Sequence, residues 1–393
     1  MSIIIKNGTV IDPLTGYFGV KDIEVQSQNP DKKIIDATGL WVCPGFIDLH
    51  VHFRDPGLTH KEDIETGLRA AVAGGFTTVC TMPNTNPTAD APETIKYQID
   101  RAKKHGLARL LPVSAITMGL EGKELVNIEE NLKAGAVAFS DDGKAVSDVA
   151  LLDEFFVSAA KHKVLVMAHC EDINLDPNSN ESEYTIVARD INLAIKHGAR
   201  LHICHVSTRQ SVDLIRRAHK KYPNLITAEV APHHILLSSE DVKNNTNFKM
   251  APPLRSKQDV RAVRKGLMDG TICAIATDHA PHSTEEKSVE FAKAPNGVIG
   301  LETAVGVALT ALKPKSVKDT LKFVSYFTSG PASLVGCNNS DITIIDPNHQ
   351  WVVTEESLKS KSRNCPFIGM ELVGRVTHTI VDGELVFDAY DFS

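Results

Sequence analysis

The chain has 393 residues, of which 42% are hydrophobic and 23% charged, and its formal net charge is -7. These values are ordinary for a globular protein, and no basic stretch stands out, so nucleic acid and membrane surfaces are poor candidates as partners. The length exceeds the roughly 250 to 300 residues of a single core, which predicts one large domain with a smaller module attached.

The cysteines and the first residues indicate where the protein works. Seven cysteines are scattered along the chain without a Cys-x-x-Cys pair, which argues against a disulfide framework and fits a reducing compartment. The start of the chain lacks the basic segment and apolar run of a signal peptide, and no apolar run approaches the roughly 20 residues that span a bilayer. We therefore expect a cytoplasmic protein that acts on a small molecule.

Both ends of the chain show the short β-rich runs and tight turns of β-hairpins. Ile3-Ile4-Ile5 runs into Asn7-Gly8 near the start, and Asp382-Gly383 separates two β-rich runs near the end. Each end alone has too few strands to be independently stable. We predict that residues 1–43 and 333–393 pair into one small β-sandwich module.

Residues 44–332 alternate short β-rich runs with helical patterns. The eight runs begin near residues 46, 75, 109, 136, 164, 200, 225 and 271. The first helix begins near Glu62-Asp63, with acids in its first turn, and ends at Gly74-Gly75. Eight such units predict an α/β fold with a closed (β/α)8 barrel of the TIM type. The lack of a Gly-x-Gly-x-x-Gly motif after the first run disfavours an open doubly wound sheet.

The first run ends in two histidines. In an extended strand, His50 and His52 point to the same face. Arg54 shares that parity, and the opposite face takes Leu49 and Phe53. Two imidazoles presented together are half of a zinc site, because four nitrogen or oxygen ligands are usual for zinc.

Four further runs end in residues that could complete such a site, at the edge where barrel enzymes collect their catalytic side chains. Each has an ordinary alternative when taken alone: His169 suits a hydrogen-bonded core histidine, Asp141-Asp142-Gly143 is typical of a turn, and a His-x-His pair is more often exposed. Histidine or aspartate at five of the eight run ends is nevertheless hard to obtain by chance in a chain with 16 histidines, which favours a metal site. The four further residues are Asp142, His169, His205 and Asp278.

Four other histidines compete as ligands. His233 and His234 lie in the seventh unit, and we interpret them as supporting or structural residues. His202 and His279 are off parity with His205 and Asp278, so we expect them to face the helices or to adjoin the site.

Seven short segments, spread over nearly the whole chain, are specific as a set. They read PGFIDLHVH at 44–52, RDPG at 54–57, MPNTNP at 82–87, FSDDG at 139–143, AHCE at 168–171, HVST at 205–208 and ATDHAPH at 276–282. On these motifs the chain resembles the dihydroorotases of the amidohydrolase superfamily, specifically the class I bacterial type.

The resemblance implies a ligand set. His50, His52 and Asp278 would hold one zinc ion, His169 and His205 would hold a second, and Asp142 would bridge the two. We expect two zinc ions per chain, and occupancy by one ion stays open. Hydantoinases and allantoinases instead bridge their metals with a carbamylated lysine at the fourth strand end, where this chain has Ser140-Asp141-Asp142.

The expected reaction interconverts N-carbamoyl-L-aspartate and L-dihydroorotate in pyrimidine biosynthesis. It passes through an oxyanion that two metals would stabilise, and Asp278 would carry the proton between water and the ring nitrogen. The substrate carboxylate needs a forked cation, for which Arg54 is well placed. We expect Asn84 and His282 to be further donors, and the resemblance adds the backbone near Gly297 as a contact to the ring.

Three observations leave alternatives open. Ala251 stands where dihydroorotases commonly have an asparagine, and the segment after Glu171 is shorter than is usual in the family. Arg54 could instead form a salt bridge with Asp55. The rival functions are a related cyclic amidase of the hydantoinase or allantoinase type, and a non-catalytic homologue that assembles with an aspartate transcarbamoylase. We expect a homodimer.

Overall fold

The structure, a computed structural model, describes residues 2–27, 33–337 and 340–391. The remaining residues of the predicted terminal module, at 1, 28–32, 338–339 and 392–393, lie outside the described residues. The N-terminal strands are β1 (Ser2–Lys6), β2 (Thr9–Asp12), β3 (Tyr17–Val20), β4 (Ile23–Gln26), β5 (Lys33–Asp36) and β6 (Trp41–Pro44).

Eight parallel strands form the central sheet, in sequence order. They are β7 (Phe46–Val51), β8 (Phe76–Thr81), β9 (Arg109–Ser114), β10 (Ala138–Phe139), β11 (Leu165–Ala168), β12 (Arg200–Ile203), β13 (Ile226–Val230) and β14 (Ala274–Ile275). A parallel bridge between Val51 and His279 joins the two edges. The predicted barrel is therefore confirmed, and its eight strands begin within three residues of the predicted runs.

Helices occupy every interval between these strands and cover the outside of the barrel. They are α1 (Ile64–Ala73), α2 (Pro92–His105), α3 (Ile128–Ala134), α4 (Val149–His162), α5 (Asn180–His197), α6 (Arg209–Lys221), α7 (Pro232–Leu236) and α8 (Lys257–Asp269), followed after β14 by α9 (Thr284–Lys287), α10 (Ala304–Leu312), α11 (Val317–Ser325) and α12 (Ser329–Val335). The first begins as predicted, because the Asp63 side chain accepts a hydrogen bond from Thr66 N and caps the helix.

The two ends of the chain form a joint β module. The last strands are β15 (Ile342–Val352), β16 (Glu371–Val381) and β17 (Glu384–Asp388). They continue into a six-stranded sheet of order β17-β16-β15-β6-β2-β3, in which β15 pairs antiparallel with β6. A three-stranded sheet of order β4-β1-β5 packs against it through a shared apolar cluster that includes Ile5, Ile35, Ile344 and Ile380. The predicted pairing of the two ends is confirmed.

The first barrel strand does not alternate as simply as predicted. Its pairing with β8 shifts register between Asp48 and Val51, and such an irregularity changes which face a side chain takes. Leu49 lies in the cluster inside the barrel, whereas Phe53 packs in the outer cluster that contains helix α1. The strand ends at Val51, so the parity argument did not apply to residues beyond it.

Three phenylalanines pack together in the outer cluster, where the first two barrel strands begin. The Phe46 and Phe327 rings stack with centroids 5.1 Å apart, and Phe76 meets both rings edge-on at 6.1 Å. All three side chains are fully buried. They join β7 and β8 to the segment between α11 and α12.

Truncating this aromatic cluster should destabilise the whole barrel. We expect Phe46→Ala to lower the free energy of unfolding by about 3–5 kcal/mol, because the lost ring leaves a cavity that rigid neighbours cannot fill. Urea denaturation followed by circular dichroism measures the change. Val157→Ala, at a half-exposed position on α4, is the control, and an equal effect of the two substitutions would contradict the assignment.

Candidate active site

The six predicted ligands converge at the C-terminal end of the barrel strands. His50 lies near the end of β7, and each of the others follows a strand end. All six are buried, with no more than 6% of any residue exposed. They are His50, His52, Asp142, His169, His205 and Asp278.

The Asp142 carboxylate lies between two pairs of histidines. Its Oδ1 atom is 3.1 Å from His50 Nε2, and its Oδ2 atom is 3.4 Å from His52 Nε2. On the other side, Oδ1 is 3.6 Å from His169 Nδ1 and 3.7 Å from His205 Nε2. Asp142 therefore lies within 3.7 Å of histidines from both predicted ligand groups, and its role as a bridging ligand stays a prediction.

Asp278 completes the first group. Its Oδ1 atom lies 3.2 Å from His52 Nε2 and 3.6 Å from His50 Nε2. In a tetrahedral zinc site with bonds of about 2.0–2.1 Å, neighbouring ligand atoms are separated by about 3.3 Å. The observed separations fit that spacing.

Some of the donor atoms pair with one another, as His52 Nε2 does with Asp278 Oδ1 at 3.2 Å, and others have no hydrogen-bond partner. His50 Nε2 and Asp142 Oδ1 are buried and have no hydrogen-bond partner. Two imidazole nitrogens, His169 Nδ1 and His205 Nε2, face each other at 3.0 Å. Buried polar atoms are nearly always satisfied, so this donor set fits metal ions bound on either side of Asp142.

Three of the histidines are oriented by a second hydrogen bond. His50 Nδ1 donates to Glu229 Oε1 at 3.1 Å, and His52 Nδ1 donates to Asn84 Oδ1 at 2.8 Å. His169 Nε2 donates to a carboxylate oxygen of Glu171 at 3.2 Å. Each bond places the proton on the nitrogen that points away from Asp142 and leaves the other nitrogen free to bind a metal.

Glu229 is the functional residue that sequence reasoning missed. It lies in β13, is 1% exposed, and joins His50 to His202, whose Nε2 is 3.1 Å from Glu229 Oε2. Burial alone would raise the pKa of Glu229, but the hydrogen bonds from the two imidazoles outweigh it and lower the pKa to about 2. A lone acid inside a buried strand run was the available signal, because an unpaired carboxylate is not tolerated there.

The aspartates stay ionised despite their burial. Burial would raise the pKa of Asp142, but the neighbouring histidines, led by His50, hold it well below its ordinary value. Burial would likewise raise the pKa of Asp278, but His52 and His50 outweigh this effect and lower it. Both groups are therefore carboxylates at neutral pH, which is the state that binds a metal ion.

The loops that carry the ligands are held by other carboxylates. Asp141 turns away from the site and accepts hydrogen bonds from Ile116 N at 2.7 Å and Thr117 N at 3.0 Å. Glu183 accepts from the backbone after His205, including Thr208 N at 3.0 Å. His205 and Asp278 have φ values of 35° and 49°, an uncommon backbone region that such contacts maintain.

A cavity of about 240 Å³ opens beside the ligands. All four predicted substrate-binding residues line it: Arg54, Asn84, His282 and Gly297. Arg54 is the one arginine or lysine among the described residues of its wall. Burial lowers the pKa of Arg54 to about 10, against the opposing effect of Asp278 and Asp142, so the guanidinium is charged at neutral pH.

Arg54 reaches the cavity by a route other than the one predicted. Its φ of 59° lies in the left-handed region beyond the end of β7, so it does not continue the alternation of His50 and His52. Asp55 accepts hydrogen bonds from Tyr97 Oη and Ile64 N instead of pairing with Arg54. The ion pairs of the described residues include none between Arg54 and Asp55.

Two of the predicted substrate contacts are already engaged within the protein. His282 Nε2 donates to Asn296 O at 2.8 Å, and His282 Nδ1 faces Glu286 Oε2 at 3.2 Å. The Gly297 N–H donates to Lys249 O at 3.0 Å. A side chain at Gly297 would meet the Ala280 carbonyl oxygen at 2.8 Å, so glycine keeps this wall close to its neighbours. Direct contact of these groups with substrate stays a prediction.

The competing histidines lie around the ligands rather than among them. His202 bonds Glu229, and His279 Nε2 lies 3.3 Å from Glu62 Oε2. His234 Nε2 donates to Pro252 O at 3.0 Å, with the His233 ring 4.3 Å away between centroids. All four are buried.

The shortened segment after Glu171 forms part of the entrance. A wider cavity of about 530 Å³ is lined by residues 119–123, 143–147 and 171–177, and it shares Gly143, His169 and Asn296 with the inner cavity. Ala251 lines the inner cavity, where its methyl group offers no polar contact.

None of the helices within the described residues is both long and apolar enough to cross a membrane.

The barrel and its histidine–aspartate cluster define a metal-binding hydrolase of the amidohydrolase type. A family model described as "Dihydro-orotase-like" matches residues 39–186. A dihydroorotase of Caldanaerobacter subterraneus subsp. tengcongensis is 41% identical, over 98% of this chain and 97% of the relative. One of Aquifex aeolicus is 42% identical, over 98% of this chain and 99% of the relative. The chain belongs to the dihydroorotase family.

Solved structures support the fold. An L-hydantoinase (dihydropyrimidinase) from Arthrobacter aurescens superposes with a TM-score of 0.86 at 24% identity, covering 99% of this chain and 96% of that one. A D-hydantoinase (dihydropyrimidinase) from Thermus sp. gives a TM-score of 0.84 at 24% identity, covering 100% and 96% of the two chains. The chain thus has the barrel architecture of these enzymes. Its membership of the dihydroorotase family makes it a cyclic amidohydrolase.

Glu229 should control how tightly the first metal group binds. We expect Glu229→Gln to weaken metal affinity by about 10- to 100-fold, because the amide orients His50 poorly and no longer increases its basicity. Competition with a chelating indicator measures the affinity. Glu154→Gln, at an exposed position of α4, should leave it unchanged, and equal affinities of Glu229→Gln and wild type would contradict the role.

Proposed function

We propose that the protein interconverts N-carbamoyl-L-aspartate and L-dihydroorotate, using two zinc ions per chain. The observation that carries the proposal is a single cavity lined by one buried arginine and five of the six ligand residues, with the sixth, His50, 3.1 Å from Asp142. The dihydroorotases that are 41–42% identical over 98% of the chain support the substrate.

The ligand set divides into two groups that share Asp142. His50, His52 and Asp278 would hold one ion, and His169 and His205 would hold the other. When bound, the ions would polarise the amide carbonyl and lower the pKa of a water molecule between them. Asp142 contributes a negative charge that would stabilise a metal cation in each of the two ligand groups.

Asp278 is the proposed general base. Its carboxylate is ionised, faces the cavity and lies against His52, so it can accept a proton from the attacking water. It then delivers that proton to the departing ring nitrogen in hydrolysis. In the cyclisation direction the same carboxylate removes the proton from the carbamoyl nitrogen.

Arg54 and Asn84 are the proposed substrate anchors. The Arg54 guanidinium donates one hydrogen bond, from Nε to Pro281 O at 3.3 Å, and its terminal nitrogens suit the substrate carboxylate. The Asn84 oxygen is committed to His52, which leaves the amide nitrogen as the donor toward the ring. His282 and the backbone at Gly297 form the opposite wall.

A second cyclic amidase activity, toward hydantoin or allantoin, is favoured by one observation. Ala251 removes a polar side chain from the cavity wall. Against it stands the fourth strand end, which offers Asp142 rather than a lysine. Turnover of dihydroorotate, hydantoin and allantoin by protein of measured zinc content separates these functions. We expect dihydroorotate to be the best substrate, and the proposal fails if it is the poorest.

The compartment, the oligomeric state and the domain boundaries are also part of the proposal. We infer a cytoplasmic homodimer with boundaries at residues 1–43, 44–332 and 333–393, in which the terminal segments complete one module. The presence of all six ligand residues disfavours a purely non-catalytic partner of aspartate transcarbamoylase. Zinc content well below one ion per chain, after purification without chelators, would support that alternative.

Replacing the base should stop the reaction without unfolding the chain. We expect Asp278→Asn to reduce kcat by about 10²- to 10⁴-fold, because an amide cannot accept the proton. Steady-state assays give kcat, and circular dichroism verifies the fold. Wild-type activity in this variant would mean that another residue is the base.

Removing the anchor should act mainly on substrate binding. We expect Arg54→Ala to raise KM by about 10- to 150-fold, since a hydrogen-bonded charge pair is worth about 1.5–3 kcal/mol. The measurement compares KM and kcat with those of Arg69→Ala, which removes an exposed arginine. An unchanged KM would exclude Arg54 as the carboxylate anchor.

A further inference from the structure

A buried ammonium group lies behind the substrate-facing wall of the cavity. Lys287 ends α9 and is 6% exposed. Its Nζ donates to the carbonyl oxygens of Thr246 at 3.0 Å, Lys249 at 3.2 Å and Pro295 at 2.9 Å. All three ammonium hydrogens therefore have acceptors, and all the acceptors are backbone.

The three carbonyls belong to two separate segments. One segment leads from Thr246 to Ala251, and the other leads from Pro295 to Gly297. Ala251, Asn296 and Gly297 line the inner cavity. The segments also touch directly, because Gly297 N donates to the same Lys249 oxygen that accepts from Lys287. One ammonium thus holds together two stretches of the cavity wall.

The backbone of Lys287 is fixed from the same side. Thr246 Oγ1 donates to the Lys287 carbonyl oxygen at 2.7 Å. Upstream, Glu286 accepts from Lys61 Nζ at 2.9 Å and from Ser283 N at 3.1 Å. The short helix between His282 and Lys287 is therefore anchored at both ends.

This arrangement is a costly way to stabilise a fold. Burial is the main influence that lowers the pKa of Lys287 to about 7, and the Lys249 ammonium adds to the effect. An apolar side chain would fill the same space without the desolvation cost of a buried charge. An apolar side chain cannot donate hydrogen bonds, so it could not hold the three carbonyl groups together as Lys287 Nζ does.

We propose that Lys287 is a positioning residue that sets the shape of the cavity wall at Ala251, Asn296 and Gly297 by holding the segments 246–251 and 295–297 together. Lys287 acts through this backbone and contacts none of the six ligand residues. Its loss should therefore weaken substrate binding while metal content and kcat are retained. The kinetic test of this inference rests on the proposed reaction. A second test measures protection of the backbone amides from hydrogen exchange and needs no turnover.

Lys287→Ala leaves a channel that ends at three carbonyl oxygens and has the shape of n-propylammonium. We expect KM for dihydroorotate to rise about tenfold or more, as for the loss of charged hydrogen bonds, with kcat changed less than about threefold. Added n-propylammonium should restore KM, whereas n-propanol and tetramethylammonium, which lack the three N–H donors, should not. Lys293→Met is the matched control, because Lys293 is exposed and pairs only with Glu290 among the described residues.

If the alanine variant does not fold, Lys287→Met replaces it, because methionine keeps an apolar side chain of similar length in place. Hydrogen exchange should then be faster in peptides covering 246–251 and 295–298 than in wild type, with the rest of the barrel and the zinc content unchanged. Unchanged KM and unchanged exchange would overturn the proposal. A rise in KM accompanied by comparable falls in kcat and in zinc content would overturn it as well. If the wild type does not turn over dihydroorotate, the proposed reaction fails, and the exchange experiment still decides the role of Lys287.

Discussion

The carboxylate of Asp142 is the charge around which the barrel opening is built. It is buried among four imidazoles, with one oxygen within 3.1–3.7 Å of three of them. A buried carboxylate is costly unless opposite charges or hydrogen bonds compensate it. Burial raises the pKa of Asp142, and the surrounding imidazoles, led by His50, lower it. The Arg54 guanidinium adds a further positive charge. Metal ions bound at this cluster would add positive charge beside the buried carboxylate and would give the unpaired His50 Nε2 a partner.

A layer of hydrogen bonds behind the ligands makes this arrangement specific. Glu229, Asn84 and Glu171 each accept a hydrogen bond from the ring nitrogen on the far side of a histidine, so the near nitrogen presents a lone pair. Asp141, the neighbour of the bridging residue, turns the other way and holds the backbone at Ile116 and Thr117. Two adjacent aspartates thus have different tasks because one faces the barrel axis and the other faces a loop.

The sequence predicts the parts of this structure that follow from local periodicity. Strand runs, the cap at Asp63 and the ligands at strand ends are local features, and the barrel brings the ends together. The role of Glu229 was not predicted because its partner His50 is 179 residues away in the sequence. No spacing rule connects an acid in β13 with a histidine in β7. The parity argument failed for Arg54 and Phe53 because a register shift in β7 and a left-handed residue interrupt the alternation. The role of Lys287 could not be predicted from the sequence for a related reason. Its hydrogen-bond partners are backbone carbonyl groups, which every residue has.

Whether Asp142 bridges two metal ions without a modified lysine can be determined crystallographically. Anomalous diffraction at the zinc edge, from crystals of the protein loaded with zinc, tests it most directly. We expect two peaks on either side of Asp142, each about 2.0–2.2 Å from one of its oxygens, with His50, His52 and Asp278 at one peak and His169 and His205 at the other. Peaks that Asp142 does not contact, or ions bridged by another side chain, would contradict it.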